Sequence, residues 1–123
     1  MTVMLNHTIV HASDRRESAE FVAGILGLAV GPEAGRFLPV SLANGVTLDF
    51  ATDSSGSIAP QHYAFQLSED EFDTVFARIR AAGIDYWADP ARSRPGEINH
   101  YNGGRGVYFV EPAGHYLEIL TRP

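Results

Sequence analysis

Residues 6–14 (NHTIVHASD) and residues 61–69 (QHYAFQLSE) decide the fold, because the second stretch repeats the pattern of the first. Each begins with an amide residue and a histidine and continues as a run typical of a β-strand. Each ends in a serine and an acidic residue that can begin a helix. Residues 45–50 (GVTLDF) and 114–119 (GHYLEI) form a second such pair. We therefore interpret the chain as a duplicated structural unit.

Each copy of the unit reads as a strand, a helix and further strands, most simply βαβββ. We predict an α+β fold in which two tandem βαβββ modules form a curved mixed β-sheet around a cavity. The single domain spans residues 1–123. Within it, module 1 covers about residues 1–53, and module 2 covers about residues 61–123. A polar, Pro-terminated linker joins them at about residues 53–60.

Local signals place the two helices. Ser13 is a candidate N-cap for the first helix, which ends at Gly27, a residue suited to a left-handed cap. Ser68 and Glu71 have the spacing of a capping box at the start of the second helix, and Gly83 ends it. Module 2 is the longer copy, and its extra length is a Pro-, Arg- and Gly-rich loop at about residues 89–104. Long loops on a rigid scaffold often carry binding residues.

Composition limits the functional classes. The formal net charge is −6, so bulk electrostatics favour neither a nucleic acid nor an anionic membrane as partner. The chain has no cysteine, which excludes disulfides and thiolate ligands. The first residues show no charged leader and no apolar run long enough to span a bilayer. A cytoplasmic protein is the default expectation.

Histidines and carboxylates recur at matching positions of the two copies, which makes a metal site the leading hypothesis. His7 corresponds to His62, and Asp49 corresponds to Glu118. Burying several such groups together is costly unless they pair or bind a cation. His7, His62 and Glu118 therefore form a candidate set of two histidines and one carboxylate. Asp49 is a weaker fourth ligand, because its side chain is one methylene shorter.

Two further histidines are given other roles. His11 shares a strand face with His7 but lies roughly 13 Å further along an extended chain, too far to share the metal. We expect it to line the cavity or to make a structural hydrogen bond. His115 has the opposite strand parity to Glu118, and we expect it to face outward.

Nearly the whole chain resembles the vicinal oxygen chelate superfamily, which includes glyoxalases, bleomycin-resistance proteins and extradiol dioxygenases. The resemblance rests on His7 and on residues 44–49, 61–65 and 107–118. The last segment is the most specific, with a Glu-Pro-Ala-Gly turn that leads into a strand containing Leu-Glu. The resemblance implies paired βαβββ modules around a divalent metal, usually in a homodimer. It also implies a small-molecule substrate that is bound through adjacent oxygen atoms.

Within this superfamily, the C-terminal stretch looks most like the extradiol dioxygenases. His100, Val107-Tyr108, residues 111–114 and Glu118 follow the order of that pattern. The resemblance implies Fe²⁺ as the first choice of metal, with Mn²⁺, Zn²⁺, Ni²⁺ or Co²⁺ also compatible with nitrogen and oxygen ligands. It further implies that Tyr108 hydrogen-bonds a substrate oxygen and that His100 lines the pocket.

Other members of the superfamily suggest alternatives. A glyoxalase-like lyase or isomerase would use a carboxylate at Asp49. A fosfomycin-resistance type would need a cationic cluster, to which Arg92, Arg94 and Arg105 could contribute. A bleomycin-resistance type would bind a planar drug without a metal. An aromatic substrate or drug would suit the aromatic side chains Tyr63, Tyr86, Trp87, Tyr101, Tyr108 and Tyr116.

Overall fold

The computed structural model describes residues 2–123 and divides into two compact units, which meet in sequence between Ile58 and Ala59. The first unit contains β1 (His7–Ala12), α1 (Arg15–Leu26), β2 (Phe37–Ser41) and β3 (Thr47–Thr52). The second contains β4 (His62–Gln66), α2 (Glu69–Ala81), β5 (Tyr86–Trp87), β6 (Gly106–Val110) and β7 (Tyr116–Leu120). Neither helix in residues 2–123 has the length and hydrophobicity required to cross a membrane.

The two units share one sheet topology, and the predicted α+β fold is confirmed. In the first unit the strand order is β1-β3-β2, and in the second it is β4-β7-β6-β5. β1 pairs with β3 in parallel, as β4 does with β7. The first unit has three strands where four were predicted. In place of a fourth strand, this unit has an isolated β-bridge between Val30 and Val40.

The beginning of α1 differs from the prediction by one residue. Asp14, not Ser13, is the N-cap, and its carboxylate accepts hydrogen bonds from the backbone N–H groups of Arg16 and Glu17. Both residue types are good caps, so composition alone does not choose between them. The predicted end of the helix is confirmed, because Gly27 adopts the left-handed conformation with φ of 73°.

The capping box predicted for α2 is confirmed. The Ser68 hydroxyl accepts from the Glu71 backbone N–H, and the Glu71 carboxylate accepts from the Ser68 backbone N–H. The helix ends at its C-cap, Ala82, and Gly83 follows with φ of 68°. Both ends of α2 therefore follow from local hydrogen-bonding chemistry.

Helix α2 covers one face of the second sheet. The ring of Phe76 in α2 meets the ring of Tyr86 in β5 edge-on at 5.1 Å. The core of this unit consists of apolar side chains from the helix and from this sheet face, namely Phe65, Phe72, Val75, Ile79, Val107, Phe109, Leu117 and Ile119. The opposite face of the sheet carries polar and aromatic side chains, and it holds the candidate site.

The loop between β5 and β6 is ordered by its own hydrogen bonds. The Asp89 carboxylate accepts from the backbone N–H groups of Ser93 and Arg94, which closes a tight turn. Further along, the side chain of Asn99 is buried and donates to the Ala88 carbonyl at 2.7 Å. The backbone of Asn99 also pairs with Gly106 at the start of β6. This loop is therefore fixed to the sheet at both ends.

Candidate metal centre

His62 and Glu118 meet across two neighbouring strands. His62 on β4 lies opposite Tyr116 on β7, and Glu118 lies two residues further along, on the same face of the sheet. The His62 Nε2 atom is 2.9 Å from Oε1 of Glu118. Glu118 is buried, with 8% of its surface exposed. The side chain of His62 is 51% exposed, so the imidazole connects a buried carboxylate to the solvent-accessible side of the site.

Tyr108 on β6 completes the group. It lies directly opposite Glu118 in the register of β6 and β7, and its ring centre is 5.7 Å from that of His62. Burial raises the pKa of the Tyr108 phenol to about 12, and the charge of Glu118 and a hydrogen bond to its carboxylate add to the effect. The phenol therefore keeps its proton at neutral pH, and its O–H is a hydrogen-bond donor.

The donor atoms of this group suit a divalent metal ion. The Glu118 carboxylate is buried, and its ion-pair partner is the imidazole of His62. Its polar neighbours include an imidazole and a phenol, neither of which is a permanent cation. A buried carboxylate is costly without a compensating charge. Imidazole nitrogen and carboxylate oxygen together are typical ligands of first-row divalent metals.

The first unit repeats this strand register, with an aspartate in place of the glutamate. His7 on β1 lies opposite Thr47 on β3, and Asp49 follows two residues later, the same register that joins His62 to Glu118. The duplication seen in sequence is therefore also a duplication of strand register. His7 is exposed, and its Nδ1 atom lies 2.8 Å from the side-chain oxygen of Asn6. Asp49 is half-buried, and no side-chain hydrogen bond is present for it within residues 2–123.

The phenol occurs in one unit alone. The residue opposite Asp49 is Pro39, whereas the residue opposite Glu118 is Tyr108. Proline has no polar side-chain group, so the equivalent position of the first unit supplies no donor or acceptor. The two copies of the unit are therefore not chemically equivalent, and the His62, Tyr108 and Glu118 group belongs to the second.

The structure brings three of the six predicted site residues together. His62, Tyr108 and Glu118 form one group, while His7 and Asp49 lie on the first sheet. His100 is exposed at the beginning of the short 3₁₀ turn Tyr101–Gly103, and within residues 2–123 its side chain makes no hydrogen bond. Within the same residues, no three side chains of His, Cys, Asp or Glu gather closely enough to hold a metal by themselves. The functional roles of all six residues stay predictions.

The expectation that His115 faces outward is wrong. His115 is 1% exposed, and its Nδ1 atom accepts a hydrogen bond from the backbone N–H of Gln61 at 3.0 Å. Its backbone N–H donates to the buried carboxylate of Glu111, and the ring of Tyr63 packs edge-on against it. Strand parity had placed His115 away from Glu118. Its burial is accounted for by these contacts with Gln61, Glu111 and Tyr63, which strand parity does not reveal.

The fold and the paired strands identify the class of protein. Residues 4–119 match the family model described as Glyoxalase/Bleomycin resistance protein/Dioxygenase superfamily. The chain therefore belongs to this superfamily, and the resemblance drawn from its sequence is confirmed.

Two solved structures and one curated protein are similar to this chain over most of its length. The solved structure of "Oxidase ChaP-H2" is 63% identical in sequence with a TM-score of 0.97, and the match covers 100% of this chain and 96% of that one. "Oxidase ChaP-H1" is 58% identical with a TM-score of 0.95, over 99% and 98% of the two chains. The "Glutathione transferase FosA" of Serratia marcescens is 26% identical, over 97% of this chain and 81% of the relative.

Proposed function

We propose that this protein is a divalent-metal-dependent oxidase that acts on a small aromatic molecule bound through adjacent oxygen atoms. The observation that carries the proposal is the group formed by His62, Tyr108 and Glu118, in which a buried carboxylate lies beside an imidazole and a protonated phenol. A metal held there would supply a Lewis acid that can bind both the substrate and dioxygen. Ring cleavage of the extradiol type is the first reaction we would test.

The similarity to two oxidases favours this function over the alternatives. Those relatives are 63% and 58% identical over almost the whole chain, whereas the transferase FosA is 26% identical. A glyoxalase-like lyase would need a carboxylate that acts from Asp49. Asp49 belongs to the unit that has Pro39 in place of the phenol. A metal-free drug-binding protein would have no evident use for a buried carboxylate held 2.9 Å from an imidazole.

The residues of the group would have different roles, in metal binding and in substrate binding. The His62 Nε2 atom and the Glu118 carboxylate would hold the metal ion, with His7 as the predicted third ligand. The Tyr108 phenol would keep its proton and donate a hydrogen bond to a substrate oxygen, because the pKa of about 12 leaves it neutral. The aromatic side chains on the same sheet face would orient a planar ring over this group.

The metal content of the protein is the direct test. Untagged protein purified under anaerobic conditions is expected to carry close to one divalent metal ion per chain. His62→Ala is expected to lose it, because one nitrogen ligand is removed. His7→Ala tests the predicted third ligand in the same way. His11→Ala is the matched control, and its metal content should equal that of the wild type. If wild-type protein takes up no Fe, Mn, Zn, Ni or Co, the enzymatic proposal is wrong.

Tyr108→Phe separates the role of the phenol from that of the metal ligands. The variant retains the ring but loses the proton donor, so metal content should be unchanged and turnover should fall by roughly tenfold or more. Oxygen consumption with a series of catechols, measured alongside metal analysis, reports both quantities. Unchanged turnover, or loss of the metal, would contradict a substrate-binding role for this phenol.

A further inference from the structure

Arg92 lies at the tip of the turn that follows β5, in a backbone conformation that arginine rarely adopts. Its φ is 58°, in the left-handed region that favours glycine. The turn is held by the Asp89 carboxylate, which accepts from the backbone of Ser93 and Arg94. The backbone N–H of Arg92 itself donates to the Asp89 carbonyl. The turn therefore holds one long cationic side chain in a defined place despite the cost of its conformation.

The guanidinium group of Arg92 lies on two aromatic rings of the second sheet. Its central carbon is 4.9 Å from the centre of the Trp87 ring and 5.0 Å from that of the Tyr116 ring. One Nη2 N–H donates to the Tyr116 hydroxyl at 3.0 Å. Stacking of this kind orients the planar group and leaves its edge, where the N–H donors lie, available for other contacts.

These aromatic residues share a sheet face with the candidate metal centre. Trp87 lies directly opposite Tyr108, and Tyr108 lies directly opposite Glu118. Tyr116 precedes Glu118 by two residues on β7 and lies opposite His62. Residues at these register positions point to the same side of the sheet. Arg92 is therefore a cation that rests on the face formed by His62, Tyr108 and Glu118.

The other two arginines considered for anion binding are already paired. Arg94 forms an ion pair with Glu97, and Arg105 binds the carboxylates of Glu69 and Asp73. Within residues 2–123, the Arg92 side chain has no acidic partner, and it donates one hydrogen bond, to the hydroxyl of Tyr116. A guanidinium has five N–H donors in a planar fork that matches a carboxylate. Most of the donors of Arg92 are therefore free for a ligand.

We infer that Arg92 is a specificity-determining residue that binds an anionic oxygen group on the substrate. The substrate class would then be an aromatic acid, whose ring lies on the same face as Trp87 and Tyr116 and whose carboxylate meets the guanidinium edge. The inference rests on the proposed function, which supplies the substrate that is bound through adjacent oxygen atoms. The charge preference of Arg92 is a separate property and can be measured without turnover.

The single tryptophan of the chain reports on this subsite. Trp87 is the one tryptophan, and the Arg92 guanidinium lies 4.9 Å from its ring centre. A ligand that binds Arg92 should therefore change the fluorescence of Trp87. The probes are 3,4-dihydroxybenzoate and its methyl ester, which share the ring and the two hydroxyls but differ in charge. Each is titrated into metal-loaded protein without oxygen, and benzoate and methyl benzoate are titrated into metal-free protein.

The wild type should bind each acid about tenfold or more tightly than its ester, because a charge-assisted bidentate contact is lost in the ester. Arg92→Met should abolish the difference, and Arg92→Lys should retain part of it, since lysine keeps the charge without the fork. Arg94→Met is the matched control from the same loop, and it should retain the full preference. The preference should also weaken as salt is raised.

Two results would overturn the inference: equal affinity of the wild type for acid and ester, or an unchanged preference in Arg92→Met. Absence of any fluorescence change up to the solubility limit of all four probes would also overturn it. Failure of the proposed oxidation would give a different set of results from failure of the Arg92 inference. In that case metal uptake or oxygen consumption is absent, while metal-free protein still prefers benzoate to methyl benzoate in a manner that depends on Arg92.

Discussion

Replacement of Glu118 by glutamine is expected to lower metal affinity and turnover by more than about 100-fold, since even residues that merely support a metal ligand are worth 10- to 100-fold. The fold should survive the change. Glutamine has nearly the same size as glutamate, and its side-chain oxygen can still accept a hydrogen bond from His62, now 2.9 Å from the carboxylate. Metal analysis, oxygen consumption and thermal unfolding measure the three quantities. Glu97→Gln, an exposed residue, is the control and should change none of the three.

The same variant should lower the pKa of Tyr108. Burial, the charge of Glu118 and the hydrogen bond to it together raise this pKa to about 12. The amide removes the charge but not the burial, so the pKa should fall while it stays above the ordinary tyrosine value of about 10. The absorbance of tyrosinate in metal-free protein, with Tyr108→Phe subtracted, follows this one group. An unchanged titration would mean that the Glu118 charge does not reach the phenol.

Replacement of Phe72 by alanine is expected to destabilise the protein by roughly 3–5 kcal/mol, the usual cost of removing a buried phenylalanine ring. Phe72 in α2 is 0% exposed, and its ring packs against Phe76 and beneath the guanidinium of Arg105. Total stabilities of about 5–15 kcal/mol make this a large fraction. Urea unfolding followed by circular dichroism measures it.

A comparison within the same helix makes this result specific. Phe76 is half-buried, so Phe76→Ala should cost less than Phe72→Ala. Both residues lie on the side of the sheet opposite Glu118. Metal content per folded molecule should therefore be unchanged in both variants under conditions where they remain folded. A cost below about 1 kcal/mol for Phe72→Ala would show that the core rearranges to fill the space.

Local chemistry explains why much of this fold could be predicted. The capping box at Ser68 and Glu71 and the left-handed Gly27 depend on neighbours within a few residues, and both predictions are confirmed. The sequence predicts Ser13 as the first N-cap, whereas the structure has Asp14. Serine and aspartate cap equally well, so their order in the sequence does not decide between them. The strands of both units follow from alternation, except the fourth strand of the first unit.

The duplication in the sequence predicts residues of the candidate site. Matching residues in two copies of a unit suggested that His62 and Glu118 would occupy related places, although they are 56 positions apart in the chain. The parallel register of β4 and β7 is what brings them to 2.9 Å. The role of His115 could not be read in the same way. Parity gives the side of a strand, but the burial of His115 depends on Gln61, Tyr63 and Glu111, which surround it in the folded chain.

The chain alone thus determined the class of fold, both helices and the residue types able to bind a metal, because these depend on local propensity and on a visible repeat. Tertiary structure decided which of those residues meet. It joined His62 to Glu118 by register and buried His115 among Gln61, Tyr63 and Glu111. It also gave carboxylate partners to Arg94 and Arg105 and placed Arg92 on aromatic rings. Charge partners and burial are set by contacts between segments distant in sequence, and no local pattern encodes them.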